Sequence, residues 1–278
     1  MTPFELSEPH TLAEAFRMLE GEGVRPFSGG TALMLMMKAG VLRPTRLVSL
    51  RKLTLSGIEA GPSGELRIGA MTTLSELERS ALVGKAYPVL KKTLRTLSNV
   101  RVRNVATVGG ALAHADPHMD LPPLLGALGG HVTIAGPAGE RRLPVEALYA
   151  GYLENTLKRS ELITALEVPA LGRRRAAYLK CTTRSADDWP ALGMAVVLDG
   201  DEARVFVAAA TDRPTRLAAA EKILRGRISD PKAIQQAGEA AAEEAHIESD
   251  LHGSAAYKKQ LIRVYLGRAI HEARDAVH

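Results

Sequence analysis

Through residues 1–52 short apolar runs alternate with helical stretches, and the alternation predicts a small parallel α/β unit. Thr11-Leu12-Ala13-Glu14 is a capping box and opens a helix that runs to about Glu20, where Gly21 and Gly23 end it. Val24 to Phe27 follows as a short strand and runs into Ser28-Gly29-Gly30-Thr31. A second helix extends from Ala32 towards Gly40, and Leu47 to Leu50 forms the next strand.

Between Leu53 and Val168 the rhythm changes, and no βαβ repeat continues. Strands are expected at Leu66–Ile68, Val105–Val108, Val132–Ile134 and Ile163–Val168. Helices are expected from a second capping box, Thr73-Leu74-Ser75-Glu76, and near Tyr87-Pro88. Gly136-Pro137-Ala138-Gly139 is a turn between hairpin strands. Pro169 to Arg175 has no apolar period and reads as a boundary. Beyond it, Ala176–Cys181, Ala191–Leu198 and Ala203–Ala209 read as strands, the last two joined by Asp199-Gly200-Asp201-Glu202. Helices then fill Thr215–Leu224, Pro231–Ala245 and Ala255–Ala276. The expected fold class is α+β. Residues 1–172 form one domain in two parts, a parallel α/β unit to about residue 52 and a mixed or antiparallel sheet with helices over 53–172. Residues 173–278 form a second, a three-stranded antiparallel sheet with a helical bundle.

Composition narrows the function classes. The chain of 278 residues is 46% hydrophobic and 24% charged, ordinary for a globular protein with a real core. The net charge of +5 is spread along the chain, with short groups at Arg101/Arg103, Arg141-Arg142 and Arg173-Arg174-Arg175 that read as solvated surface. Aromatics make up 4%, too few for base-stacking platforms, so nucleic acid is not an expected partner. The longest apolar run, Ala32 to Met37, is far short of a membrane span. One cysteine, Cys181, excludes a disulfide framework and any thiolate iron–sulfur cluster held by this chain alone. A single free thiol and an acidic N-terminus without a signal-peptide pattern point to the cytoplasm.

The candidate chemistry lies in two glycine pairs, Ser28-Gly29-Gly30-Thr31 and Thr107-Val108-Gly109-Gly110. Gly-Gly admits positive φ and removes two β-carbons, so backbone amides can turn toward one oxyanion. Neither is a P-loop or a G-x-G-x-x-G fingerprint. Two such loops in one chain suggest an extended diphosphate gripped from two sides. After the second loop, His114, Asp116, His118 and Asp120 alternate by two. Metal ligation is one reading, but Pro117 and Pro122-Pro123 favour an irregular loop whose aspartate accepts from ligand hydroxyls. No acid–base pair or activated nucleophile stands out, so no catalytic residue and no metal site is assigned.

These motifs, taken in order, resemble the flavin-binding medium subunit of the molybdenum hydroxylases, the xanthine dehydrogenase and carbon monoxide dehydrogenase group. The likeness runs through Ser28 to Thr31, Thr107 to Gly110, Ala113-His114-Ala115-Asp116-Pro117 and Asp120-Leu121-Pro122. It continues through Glu161-Leu162-Ile163, Val168-Pro169, Tyr178-Leu179-Lys180 with Arg184, and His252-Gly253-Ser254-Ala255-Ala256-Tyr257. The resemblance implies FAD as cofactor. Its diphosphate would lie on Phe27, Ser28, Gly29, Gly30, Thr31, Ala32 and Leu33, and on Thr107, Val108, Gly109, Gly110 and Ala111. Asp116 belongs to the same binding set, Asp120 would bond sugar or ribityl hydroxyls, and Ile163 would sit near the flavin or adenine ring. Lys180 would lie at the carbonyl edge of the isoalloxazine and stabilise its reduced anion. The partners implied are a small subunit with two [2Fe–2S] clusters and a large molybdopterin subunit, with NAD, a quinone or oxygen as final acceptor.

The chain also departs from the family pattern. Ala111 replaces Asn or Ser after the second Gly-Gly, and Tyr257-Lys258-Lys259 replaces Tyr-Arg-Arg, which would alter a partner contact there. Residues 121–160 lack the cysteine-rich insert that would hold an extra cluster. Trp189 reads as a core tryptophan, with a place by the ring as the alternative. Two other functions fit the same residues: a free-standing flavin oxidoreductase, or an assembly scaffold that has lost tight FAD binding.

Overall fold

The computed structural model describes residues 2–276. Its first unit runs β1 (Glu5–Ser7), α1 (Leu12–Leu19), β2 (Val24–Phe27), α2 (Leu33–Lys38) and β3 (Arg46–Ser49). The three strands are parallel, with β3 between β1 and β2. The Thr11 capping box forms as the sequence requires: Thr11 Oγ1 accepts from the Glu14 amide, and Glu14 accepts from the Thr11 amide. Ala15 and Leu19 of α1 bury against Val24 and Val48.

The second sheet begins with β4 (Ile58–Ala60) and β5 (Leu66–Gly69). Six helices intervene: α3 (Leu74–Arg79), α4 (Ala81–Ala86), α5 (Pro88–Thr96), α6 (Val100–Arg103), α7 (Val108–Ala113) and α8 (Leu121–Leu128). The chain then adds the hairpin β6 (His131–Gly136) and β7 (Gly139–Pro144), a small ribbon of β8 (Tyr149–Gly151) and β9 (Glu154–Asn155), and β10 (Leu162–Val168). The sheet order is β4-β5-β10-β6-β7, antiparallel throughout. A register shift between Ile163 and Ala165 releases Thr164, whose carbonyl accepts from the Ala70 amide at 3.0 Å.

The third sheet is β11 (Arg175–Cys181), β12 (Leu192–Asp199), β13 (Glu202–Ala208) and β14 (Thr215–Arg216), antiparallel in that order. It is followed by α9 (Ala218–Leu224), α10 (Pro231–Glu244) and α11 (Ala255–Asp275). Both faces of this sheet are covered, which explains why β12 is apolar without interruption. Met194, Val196 and Leu198 face the helices α9 to α11, while Ala195 and Val197 join the core that holds α8. Helix α8 reads LPPLLGAL, and all eight of its residues are buried. A helix apolar all round must lie inside. It packs on β12 and β13, and Gly126 leaves room for the Phe206 ring: a Cβ there would lie 2.8 Å from Phe206 Cε1. One buried cluster thus runs from the second sheet through α8 into the third.

Three expectations need correction. Val105–Val108 is not a strand: Thr107 caps α7, its hydroxyl accepting from the Gly110 amide at 3.1 Å, and the local cap outweighs β-branched propensity. Thr215–Leu224 is not one helix, because Thr215–Arg216 pairs with β13 as a short fourth strand. The arginine groups are not all solvated surface. Arg103 is 9% exposed, bonded to Glu78 and to the Leu97 and Ser98 carbonyls, and Arg174 donates to the Leu128, Pro169 and Ala170 carbonyls.

Phe206 is fully buried where α8 meets the third sheet. Phe206→Ala is expected to cost about 3–5 kcal/mol in urea unfolding, whereas Val264→Ala on the exposed side of α11 stays within about 0.5 kcal/mol.

Candidate functional site

The fold lays the two glycine loops against each other. The first spans Ser28 to Ala32, between β2 and α2. Gly30 has φ +69° there, a conformation that disfavours L side chains. Gly29 is required for a different reason. A Cβ at Gly29 would stand 2.0 Å from the Val105 carbonyl oxygen and 2.8 Å from Ala106 Cα, so only glycine lets this backbone meet that one. Thr107 Oγ1 then donates to Ser28 Oγ at 3.2 Å, and a Cβ on Gly110 would sit 2.7 Å from the same oxygen.

The loops differ in what they can offer a ligand. The amides of Gly29, Gly30, Thr31 and Ala32 donate to no acceptor among the described residues. Helix α2 has no side-chain cap, so nothing local takes their place. Consecutive unpartnered amides on a half-exposed loop suit an anion. In the second loop the amides are spent. Val108 N donates to the Thr72 carbonyl, Gly109 N to the Ala70 carbonyl, Gly110 N to Thr107 Oγ1 and Ala111 N to the Thr107 carbonyl. Its glycines are there for packing: a Cβ on Gly109 would lie 2.6 Å from Ala70 Cβ. The second loop is therefore the wall of the first rather than a second set of free donors. A diphosphate fits this pair of loops with the first as donor.

The expected residues downstream fall into three places. Ile163 is buried in the core, on the strand that reaches Ala70 through Thr164. Asp120 precedes α8, where its Oδ1 accepts from Tyr178 Oη at 2.6 Å and its Oδ2 from Lys180 Nζ at 3.1 Å. Lys180 also donates to the Thr96 carbonyl at 2.7 Å. Burial pushes the Asp120 carboxyl up, while the Lys180 ammonium and the Tyr178 hydroxyl pull against it. Tyr178 is pushed well up by its own burial and by the adjacent carboxylate.

Asp116 belongs to another cluster, in the irregular loop that joins α7 to α8. Its Oδ1 accepts from the His118 amide at 2.9 Å and lies 3.0 Å from His118 Nδ1. The other ring nitrogen of His118 is 2.9 Å from Asp250 Oδ2, and Lys258 Nζ donates to that oxygen at 2.6 Å. Burial pushes the His118 imidazole down, but the bonds to Asp116 and Asp250 outweigh it and raise it above its ordinary value. Burial works against Asp250 too, yet Lys258 and His118 hold its carboxyl down at about 2. His114 is lowered by burial, with Asp116 opposing. Among the described residues no group of three or more His, Cys, Asp and Glu side chains is arranged to hold a metal.

One sequence expectation changes here. Trp189 is 48% exposed and stacks on His118, with ring centroids 5.3 Å apart, so it is not a core residue. Lys258 is 1% exposed and donates to Asp250 and to the Ala209 carbonyl. Sequence reasoning missed Tyr178, Asp250 and Lys258 as members of these clusters. The chain offers no local signal for them, because Tyr178 meets Asp120, Asp250 meets His118 and Lys258 meets the Ala209 carbonyl across long sequence separations.

The chain matches known proteins over nearly its whole length. Residues 2–171 match the family described as FAD binding domain in molybdopterin dehydrogenase, and residues 177–273 match the CO dehydrogenase flavoprotein C-terminal domain. The glyceraldehyde dehydrogenase medium chain of Sulfolobus acidocaldarius is 27% identical, over 97% of this chain and 98% of its own. The carbon monoxide dehydrogenase medium chain of Hydrogenophaga pseudoflava is 29% identical over 97% and 96%. A solved structure of carbon monoxide dehydrogenase from that organism, lacking the Mo-pyranopterin moiety, superposes with a TM-score of 0.94 at 31% identity over 99% of both chains.

Lys180 and Asp120 are both buried, so removing one strands the other. Lys180→Met is expected to cost about 3–5 kcal/mol in denaturant unfolding, and adding Asp120→Leu should recover much of it, because the uncompensated charge is then gone. Equal, additive losses would show that the pair is not coupled.

Proposed function

The chain belongs to the FAD-binding medium subunits of the molybdopterin dehydrogenases, and on that premise we propose which of its residues hold the cofactor and what they do. It is a flavoprotein subunit of an oxidoreductase complex. The carrying observation is the row of unpartnered amides at Gly29 to Ala32, closed on one side by the second glycine loop. This row takes the FAD diphosphate, with Ser28 and Thr31 adding hydroxyls and Phe27 and Leu33 flanking it. Thr107, Val108, Gly109, Gly110 and Ala111 shape the opposite wall, where a larger side chain would fill the space. Ala111 contributes no side-chain hydrogen bond.

Lys180 supplies the fixed positive charge for the carbonyl edge of the ring, and Asp120 accepts from ligand hydroxyls. Each oxygen of Asp120 has one protein donor, which leaves acceptor capacity for a second. Ile163 adds an apolar contact to the ring system, and Asp116 sets the course of the loop before Asp120. Bound FAD supplies the electron-transfer chemistry, which the side chains themselves do not perform. The protein contributes orientation, charge and exclusion of water.

The family reading supplies the division of labour: a small partner with the [2Fe–2S] clusters and a large partner with the molybdopterin. Cys181, the single cysteine, fits it, since one thiolate cannot hold such clusters in this chain. With FAD bound, the chain would take electrons from those clusters and pass them to NAD, a quinone or oxygen.

The visible spectrum tests the site. The purified chain should show flavin bands near ~450 and ~370 nm that survive desalting after FAD is added. Gly30→Asp should abolish them, since a carboxylate beside the free amides would repel the phosphate. Gly30→Asn imposes the same backbone strain without the charge and should retain more FAD. Equal retention in wild type and Gly30→Asp would refute the assignment of the first loop.

A further inference from the structure

His118 has no part in the proposed cofactor site, yet both of its ring nitrogens are held by carboxylates. Its two ring nitrogens lie 3.0 Å from Asp116 and 2.9 Å from Asp250. Both neighbours are carboxylates, which accept only. A neutral imidazole carries one N–H and can serve one of them, so this geometry requires the doubly protonated ring. The two carboxylates come from distant parts of the chain. Asp116 lies in the loop between α7 and α8, and Asp250 in the segment between α10 and α11.

A second set of contacts shares the same junction. Ala209 N donates to the Pro117 carbonyl at 2.8 Å, and the Ala209 carbonyl accepts from Lys258 Nζ at 2.8 Å. Ala115 and Ala209 both hold positive φ, +57° and +65°, without being glycine, so the junction is held against local backbone preference. Above it lies the loop that joins β11 to β12. That loop carries Trp189, stacked on the His118 ring at an interplanar angle of 23°. The residue before it, Asp188, bonds Arg184 and the Trp189 amide through its carboxylate, and its carbonyl is 3.4 Å from Lys180 Nζ.

We propose that His118 is a positioning residue that acts as a cation. Held between Asp116 and Asp250, it ties the α7–α8 loop to the C-terminal segment and seats Trp189 and its loop. The junction loosens when the ring loses its second proton. The charged and titratable groups around it are Asp116, with His114 3.9 Å beyond, Asp250 with Lys258 behind it, and His252, whose ring is 5.0 Å from His118. Asp188 and Arg184 lie on the Trp189 loop. His118 is raised above its ordinary value of 6.5. Its contribution to stability is therefore complete below that value and is lost as pH rises through the raised one. The link to Lys180 rests on the cofactor reading above, but the seating of Trp189 does not.

Trp189 is the one tryptophan of the chain, so its emission reports on this junction, where the His252 ring also lies 6.4 Å from it. A protonated imidazole against an indole ring quenches its emission. The full chain, without FAD, should brighten and red-shift as pH is raised from about 5 to about 9, with a midpoint above 6.5. His118→Gln should remove this transition, while His252→Gln, which leaves both carboxylate bonds in place, should keep it. Asp250→Asn removes one anionic partner and should move the midpoint down. Thermal melting should show the same dependence: wild type loses a few degrees across the transition, and His118→Gln stays flat. A wild-type emission that does not titrate, or a transition that survives in His118→Gln and vanishes in His252→Gln, would overturn the proposal. FAD retention by the same variants is a separate readout, so failure of the cofactor assignment would leave this result intact, and the converse.

Discussion

Gly29 occupies a place where two stretches of backbone touch. The Val105 carbonyl oxygen lies 2.0 Å from where its β-carbon would be, so the backbone of the first glycine loop meets the chain leading into the second only because Gly29 has no side chain. Several things depend on that approach. It brings Ser28 and Thr107 within hydrogen-bond distance, and it lets Gly109 seat against Ala70 next to the bulge in β10. It leaves the amides of the first loop as the unspent donors of the site, because the second loop has turned its own amides inward to the Ala70 and Thr72 carbonyls. One loop keeps its amides free, and the other, its own amides spent, stands beside it.

Away from the loops, the sheets are joined by buried charge. Asp120–Lys180 and Asp116–His118–Asp250–Lys258 each link residues far apart in sequence, and most of their members are almost fully buried. Such pairs add little net stability compared with well-packed apolar groups, but breaking one is costly. They therefore act as register pins: a misplaced α8 or C-terminal segment would leave an unpaired charge in the core. The exposed ion pairs, such as Arg225–Glu202, carry no such consequence.

Local chemistry explains which features were legible from residues alone. The Thr11 and Thr73 capping boxes, the Asp199–Glu202 hairpin and the apolar strands β11 to β13 rest on interactions between near neighbours, and the sequence displays both partners. Val105–Val108 misled because β-branched residues favour a strand only when a neighbour is there to pair with. Here Thr107 instead finds the Gly110 amide. Trp189 misled for the converse reason. A large aromatic is ordinarily core material, but its partner is the His118 ring at the surface of the junction.

The sequence by itself determined the α+β class, the two glycine pairs, the absence of thiolate cluster ligands and, through motif order, the family. These follow from local propensity and from residue types that are present or missing. The tertiary structure alone decided which glycine loop keeps free amides, that Asp120 is shared between Tyr178 and Lys180, and that Asp250 and Lys258 complete the His118 bridge. The reason is separation along the chain. His118 and Asp250 are 132 residues apart, and no period or spacing encodes a contact that exists only once α8, the third sheet and α11 have closed around it.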